Sequence, residues 1–131
     1  MDIYQKLEQL SEKRVTYFLE NLDSLVWYGG SKKYFEELVQ EIREAKDEHR
    51  ENNSVYLEDE LGDVFWDYLM LLQALKAEGK ITSIDAVLQR SYNKFIERVG
   101  PDGSGGEGNW DEIKAGQKLR RKKEHEEKYG K

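Results

Sequence analysis

Two pairs of acidic residues stand at a spacing that suits metal binding. Glu41 and Glu44 lie three residues apart in QEIREA, and Glu60 and Asp63 repeat this spacing in DELGD. On a helix that advances about 100° per residue, side chains three positions apart share one side. Carboxylate oxygens are the ligands that Mg²⁺ and Mn²⁺ prefer in proteins. The spacing therefore predicts a divalent-cation site built from four carboxylates on two helices.

The four acids lie beside apolar positions that recur at core spacing, namely Leu38, Ile42, Ala45, Val64 and Leu71. Like charges on one helix face repel each other, and the repulsion grows when the charges leave water. A bound cation would compensate for this repulsion. Glu37 and Glu48 share the side of Glu41, but an ordinary solvated face accounts for them equally well, and the role of Asp67 stays open.

The elements that must position these acids are helices. Apolar residues recur every three or four positions through most of the chain, and Pro101 is the only proline. We expect an all-α fold, an antiparallel bundle of about four helices with a short C-terminal helix. The predicted segments are 3–22, 31–50 with Ser31 as N-cap, 54–78, 82–99, and a short helix that begins at Trp110. The turn ENNS is short enough to make the second and third helices antiparallel neighbours.

Two segments near the C-terminus interrupt this pattern. Residues 100–109 contain five glycines, so we expect a flexible loop, whose role stays open. Residues 119–131 carry mixed charge and are predicted to fray or to pack on a neighbouring subunit. We therefore assign one domain to residues 1–118 and a charged tail to residues 119–131.

Composition excludes several classes of protein. The 131 residues fit one domain, and because 37% of them are charged, we expect oligomerisation to complete the core. The net charge of -6 gives no broad basic surface for nucleic acid. No cysteine is present, so oxygen or imidazole must hold any metal, and the two histidines lack the spacing of a ferritin-like di-iron site. Without a signal peptide or an apolar run long enough for a membrane span, we expect a cytoplasmic protein.

The order of motifs resembles one known family. QEIREA followed by DELGDVFW is similar to the ExxE and ExxD signature of MazG-like nucleoside triphosphate pyrophosphohydrolases, with fifteen residues between Glu44 and Glu60. Further along, KFIER resembles a basic segment of that family, and WDEIKAGQK resembles its C-terminal W..IK..EK segment. The resemblance covers roughly residues 22 to 118. The HPHVF segment that often follows the basic pair is replaced here by VGPDGSGG, which leaves base selectivity open.

The resemblance implies an all-α enzyme that cleaves nucleoside triphosphates between the α- and β-phosphates and releases a monophosphate and pyrophosphate. It places the family's metal-binding acids on Glu41, Glu44, Glu60 and Asp63, with Mg²⁺ as the cofactor and Mn²⁺ as a possible substitute. It places the phosphate-contacting residues on Lys94 and Arg98. It also implies a homodimer or homotetramer.

The residues themselves suggest further roles. An acid that is not fully committed to metal, either Glu41 or Glu44, could orient or deprotonate the attacking water. Asn93 could hydrogen-bond the substrate, and Trp27 could stack on a nucleobase, although an aromatic before a turn often anchors a core. Lys94 and Arg98 could instead form salt bridges with surface acids such as Glu97 or Asp85.

Three functions remain open from the sequence. The first is a Mg²⁺-dependent pyrophosphohydrolase that cleans the pool of ribo- or deoxyribonucleoside triphosphates. The second is a helical interaction module whose acidic face docks a basic partner without catalysis. The third is a dUTPase-like enzyme that acts on a single pyrimidine nucleotide. The number of metal ions per site stays open as well.

Overall fold

The computed structural model describes residues 1–22, 28–105 and 108–130, and every regular element among them is an α-helix. The helices are α1 (Ile3–Glu20), α2 (Gly30–Asp47), α3 (Ser54–Ala77), α4 (Ile84–Val99) and α5 (Trp110–Tyr129). The predicted all-α fold is confirmed. The chain forms two compact units, Met1–Ile84 and Asp85–Lys131. Among the described helices, none has the length and hydropathy needed to cross a membrane.

The second half of α3 is the centre of the first unit. Residues 69–74 are all buried, which spans more than one full turn, so other parts of the chain cover this part of α3 on every side. Helices α1 and α2 both pack against α3. The core consists of side chains from all three helices: Val15, Phe18, Tyr34, Met70, Leu71 and Ala74. Burial of each large apolar side chain contributes about 1.5–3 kcal/mol to folding.

A buried amide fixes α1 against α3. The Nε2 of Gln73 donates hydrogen bonds to the backbone carbonyl of Glu8 at 3.1 Å and to the hydroxyl of Ser11 at 3.2 Å. One turn further along both helices, Lys76 pairs with Glu12 at 3.1 Å. Residue numbers therefore increase in the same direction on both helices, so α1 and α3 run parallel.

The N-terminus of α2 is held by a residue distant in sequence. The prediction that Ser31 is the N-cap is wrong: α2 begins at Gly30 and its N-cap, Gly29, makes no side-chain hydrogen bond. Instead, the backbone N–H and the hydroxyl of Ser31 both donate to the carboxylate of Glu78, at 2.9 and 2.7 Å. These bonds lower the pKa of Glu78, with the hydroxyl bond contributing most. Because Glu78 ends α3, the contact aligns α2 antiparallel to α3.

The second unit contains an antiparallel pair of helices joined by two ion pairs. Arg90 binds Glu124 at 3.0 and 2.8 Å, and Arg120 binds Glu97 at 2.7 and 2.9 Å. The α5 members of these pairs lie in residues 119–131, which the sequence predicted to fray or to pack on a neighbouring subunit, and α5 continues as a helix to Tyr129. Its length was not predictable locally, because the stabilising partners of α5 lie on α4.

The glycine-rich segment begins with a tight turn. Gly100 has φ +79°, and a Cβ there would lie 2.7 Å from the carbonyl oxygen of Gly105. The N–H of Gly105 donates to the carbonyl of Val99 at 2.7 Å, which closes the turn. Only glycine fits position 100, because both the backbone angle and the close approach exclude a side chain.

Candidate active site

The connection between α2 and α3 brings the two acid pairs together. Six residues, 48–53, separate the helices, and the Nδ2 of Asn53 donates to the carbonyl of Glu48 at 2.8 Å and to its carboxylate at 2.7 Å. Arg50 also pairs with Glu48 at 2.9 Å. Glu48 therefore stabilises the turn. The short turn and the antiparallel direction place the C-terminal half of α2 beside the N-terminal half of α3.

Three of the four predicted acids converge. One carboxylate oxygen from each of Glu41, Glu60 and Asp63 lies within 4.8 Å of the others. Glu41 and Glu60 are half-buried, whereas Asp63 is exposed. A single cation with metal–oxygen distances of about 2.0–2.6 Å fits between oxygens at this separation. The cluster is thus open to solvent at Asp63, whereas Glu41 and Glu60 are partly removed from water.

Two oxygens of this cluster are buried without a partner. Oε2 of Glu41 and Oε2 of Glu60 accept no hydrogen bond from any described residue. A buried polar atom without a partner costs about 1–3 kcal/mol, and more if it is charged. Such atoms are rare in folded proteins, so two of them on neighbouring carboxylates favour a bound group at this place.

The electrostatics of the cluster favour an added positive charge. Burial raises the pKa of Glu41 to about 7, assisted by a hydrogen bond with Glu44 and by the charges of Glu44, Asp67 and Asp63. Burial also raises the pKa of Glu60, with smaller contributions from neighbouring acids including Glu44 and Asp63. Ionising these carboxylates together costs free energy, and a cation bound among them would stabilise their ionised forms.

Glu44 lies beside Glu41 but outside the group of three. It interacts with Glu41, and its Oε1 accepts a hydrogen bond from Nε2 of Gln40 at 3.3 Å. Glu44 is half-buried. The two acids of the first pair therefore differ: Glu41 contributes one oxygen to the group of three, whereas Glu44 accepts a hydrogen bond from a side chain on its own helix.

Asp67, whose role the sequence left open, is buried one turn after Asp63 and is only 9% exposed. It makes no hydrogen bond among the described residues. Burial raises its pKa to about 6, together with the charges of Glu37, Asp63 and Glu44. Glu37 itself pairs with Lys33 at 3.7 Å. Asp67 therefore adds a fifth acid to the negative potential of the site.

The donor set fits a hard divalent cation. All three converging atoms are carboxylate oxygens, the described part of the chain offers no other such group, and two of the residues have an oxygen in need of a partner. Mg²⁺ and Mn²⁺ prefer such ligands and retain water on an open side.

Comparison with known families agrees with this chemistry. A family model described as the MazG nucleotide pyrophosphohydrolase domain matches residues 30–100, more than half of the chain. The chain belongs to this family. No curated protein matches it significantly, and no solved structure does either. The MazG match spans both acid pairs and the basic segment on α4, and it ends before α5.

The predicted substrate-binding residues Asn93, Lys94 and Arg98 lie on α4, in the second unit. Among the described residues, no salt bridge joins Lys94 or Arg98 to Glu97 or Asp85, the predicted alternative partners, and Glu97 pairs with Arg120 instead. Nζ of Lys94 has no partner among the described residues. Asn93 is exposed and accepts a hydrogen bond from Gln89 at 2.8 Å.

Arg98 makes contacts that the sequence did not suggest. Its Nε donates to Oε1 of Gln117 at 2.8 Å, and its guanidinium carbon lies 5.5 Å from the ring centroids of both Phe95 and Trp110. Gln117 lies outside the MazG match and nineteen positions from Arg98 in the chain, so no local pattern could have linked them. Trp27, the predicted base-stacking residue, lies outside the described residues.

Proposed function

We propose that this protein is a Mg²⁺-dependent nucleoside triphosphate pyrophosphohydrolase that cleaves between the α- and β-phosphates. The products are a nucleoside monophosphate and pyrophosphate. Membership of the MazG nucleotide pyrophosphohydrolase family supports the reaction class. The single observation that carries the proposal is the pair of buried, unpartnered oxygens on Glu41 and Glu60, within the cluster that includes Asp63.

Glu41, Glu60 and Asp63 would hold the cation, with Glu44 beside them. A bound Mg²⁺ supplies charge neutralisation for the phosphates and polarises water. A nucleoside triphosphate carries about four negative charges, so without a cation an acidic site would repel it. This explains how a cluster of five acids could serve a polyanionic substrate.

Glu44 is our choice for the acid that orients the attacking water and accepts its proton. Its carboxylate lies next to Glu41 but outside the group of three converging oxygens, so it is the least committed to a cation. A general base must lie within hydrogen-bond reach of the water, and a carboxylate adjacent to the ligand set meets that requirement. The water oxygen bonds to phosphorus as the phosphoanhydride bond breaks, and Glu44 holds the released proton.

Lys94 and Arg98 would bind the terminal phosphates. They lie one helical turn apart, and neither Nζ of Lys94 nor the Nη groups of Arg98 have a hydrogen-bond partner among the described residues. Arg offers a planar fork for phosphate oxygens and Lys a point charge. Asn93 and Trp27 keep their predicted roles toward the nucleoside as part of this proposal.

We also propose that the protein acts as a homodimer or homotetramer that removes non-standard or excess nucleotides from the pool. Phe35, Val39 and Ile42 form a stripe on α2 in which each side chain is at least half exposed. Positions separated by four and three residues share one helix face, and such a face on a soluble protein suits contact with another subunit.

The test is chromatographic analysis of products from a panel of ribo- and deoxyribonucleoside triphosphates and diphosphates with Mg²⁺. Samples with EDTA and with Glu60→Gln serve as controls. We expect monophosphate and pyrophosphate from triphosphates, with both products absent from the two controls. Turnover of one pyrimidine nucleotide alone would favour the dUTPase-like alternative, and no turnover of any nucleotide would refute the proposal.

A further inference from the structure

One side chain of α5 connects both ends of a single turn of α4. Oε1 of Gln117 accepts a hydrogen bond from Nε of Arg98 at 2.8 Å, and Nε2 of Gln117 donates to the backbone carbonyl of Lys94 at 2.9 Å. An amide can do both, whereas a carboxylate only accepts and an ammonium only donates. Gln117 thus contacts the two residues to which the proposed function assigns the terminal phosphates.

The contact leaves Arg98 fixed but available. Gln117 occupies Nε, and the rings of Phe95 and Trp110 each lie 5.5 Å from the guanidinium carbon. These three neighbours restrict the plane of the guanidinium, while its two Nη groups make no hydrogen bond to any described residue. A guanidinium that is held in place before binding loses less conformational freedom when it meets a phosphate.

A role for Gln117 in tying α5 to α4 is the simpler alternative. However, two ion pairs, Arg90 with Glu124 and Arg120 with Glu97, already join these helices within two turns after Gln117 on α5. What Gln117 adds to these ion pairs is a hydrogen bond that orients Arg98. Its two bonds go to Nε of Arg98 and to the backbone carbonyl of Lys94, whereas Arg120, another α5 side chain that hydrogen-bonds this turn of α4, binds Glu97.

We infer that Gln117 is a positioning residue that orients Arg98 and Lys94 toward the terminal phosphates of the substrate. This inference rests on the proposed function. It extends the functional unit beyond the MazG match, which ends at residue 100, into α5.

The test uses the two products as separate inhibitors of triphosphate hydrolysis. Pyrophosphate contains the β- and γ-phosphates, so its inhibition constant reports on Lys94 and Arg98, whereas the monophosphate reports on the rest of the site. In Gln117→Met we expect the inhibition constant for pyrophosphate and the KM for triphosphate to rise about three- to tenfold, the range expected for loss of one or two hydrogen bonds. The inhibition constant for monophosphate should stay within about twofold of the wild-type value.

Gln73→Met is the matched control. Gln73 is also an amide that joins two helices through two hydrogen bonds, but it lies between α1 and α3 and contacts no predicted site residue. Thermal unfolding of both variants measures the structural cost of each. Gln73→Met should lose stability without the selective change in the pyrophosphate constant.

A second comparison tests whether Gln117 acts through Arg98. Arg98→Met should raise the pyrophosphate constant about tenfold or more, and adding Gln117→Met to it should change the constant less than twofold, because residues that act as a unit are not additive.

Three results would overturn the inference while leaving the proposed function intact: equal effects on both inhibition constants, additive effects in the double variant, or no inhibition of the active wild type by pyrophosphate. An inactive wild-type protein would instead refute the proposed function and this inference with it.

Discussion

Glu41 on α2 and Glu60 on α3 approach each other with one buried oxygen apiece that accepts no hydrogen bond among the described residues. Neighbouring acids raise the pKa of both side chains further. When both are ionised, two carboxylates in this arrangement oppose folding, and a cation between them would remove that cost. The fold therefore tolerates local destabilisation at the place where a metal-dependent enzyme would need it.

The first prediction follows from the repulsion between the carboxylates of Glu41 and Glu60. Glu60→Gln should raise the melting temperature of the metal-free protein, because the amide removes one negative charge and can donate to a neighbouring carboxylate. The same variant should lose the stabilisation that Mn²⁺ gives the wild type, which is about 2.7 kcal/mol when the free cation is a hundred times its Kd. Thermal unfolding with EDTA and with Mn²⁺ measures both effects, and a variant that still gains fully from Mn²⁺ would exclude Glu60 as a ligand.

The second prediction concerns pH. The pKa of Glu41 is raised to about 7 and that of Asp67 to about 6, above their ordinary values of 4.5 and 3.8. Between the ordinary and the raised pKa of each group, the folded protein therefore binds more protons than the unfolded chain. The metal-free protein should lose stability as pH rises from about 4 to about 7. The groups responsible are Glu41 and Asp67 themselves, with the acids that surround them on α2 and α3: Glu37, Glu44 and Asp63.

Asp67→Asn isolates one part of this pH dependence. The variant should show a shallower loss of stability than the wild type below about pH 6, measured by chemical unfolding in EDTA. Glu78, whose pKa is lowered by Ser31, acts in the opposite sense and only at more acidic pH, where its protonation removes a stabilising contact. Equal pH dependence in the variant and the wild type would contradict the assignment to Asp67.

The sequence was sufficient to predict the acid cluster because its cause is local. A spacing of three on a helix, repeated across a short turn, requires Glu41, Glu60 and Asp63 to converge once α2 and α3 pack antiparallel. The all-α fold follows from periodicity in the same way. The distinction between Glu41 and Glu44 was not predictable, because it depends on side-chain partners such as Gln40.

The features that sequence did not predict depend on contacts between distant residues. Ser31 has the residue type of an N-cap, but Glu78, 47 positions away, takes both of its donors. Periodicity also marked Ile42 as apolar without showing what covers it, and in the single chain its side chain is 52% exposed. Propensity and spacing describe one helix at a time, whereas the partner of Ser31 lies on a second helix and the cover of Ile42 depends on the proposed contact with a second subunit.

The third prediction uses the glycine inside the second acid motif. Gly62 lies within α3, and a Cβ there would meet no atom within 4 Å. Gly62→Ala should therefore raise the free energy of unfolding by roughly 0.5–1 kcal/mol, because alanine favours the helix and nothing opposes it. Gly29→Ala is the matched control, since its Cβ would lie 2.7 Å from Cβ of Lys33 and should destabilise the protein. A loss of stability in Gly62→Ala would mean that an unseen neighbour, such as another subunit, occupies that space.

The fourth prediction concerns assembly. The stripe of Phe35, Val39 and Ile42 is exposed on α2, so light scattering of the wild type should give at least twice the chain mass of 15.4 kDa. Val39→Glu should shift the mass toward the monomer by placing a charge within the stripe. Lys46→Glu, at an exposed polar position of the same helix, should leave the mass unchanged. A wild type of monomeric mass at micromolar concentration would contradict the proposed oligomer.

The last prediction separates the two acids of the first pair. Glu44 lies outside the group of three converging oxygens, so Glu44→Gln should keep Mn²⁺ affinity within a few-fold of wild type while kcat falls at least about a hundredfold, the scale of a lost general base. Glu41→Gln should instead weaken Mn²⁺ binding, because Glu41 supplies one of the converging oxygens. Calorimetric titration with Mn²⁺ and product assays on the same samples distinguish the two. If both variants lose the metal equally, Glu44 is a ligand and the proton must go to another acid, with Asp67 the remaining buried carboxylate of the site.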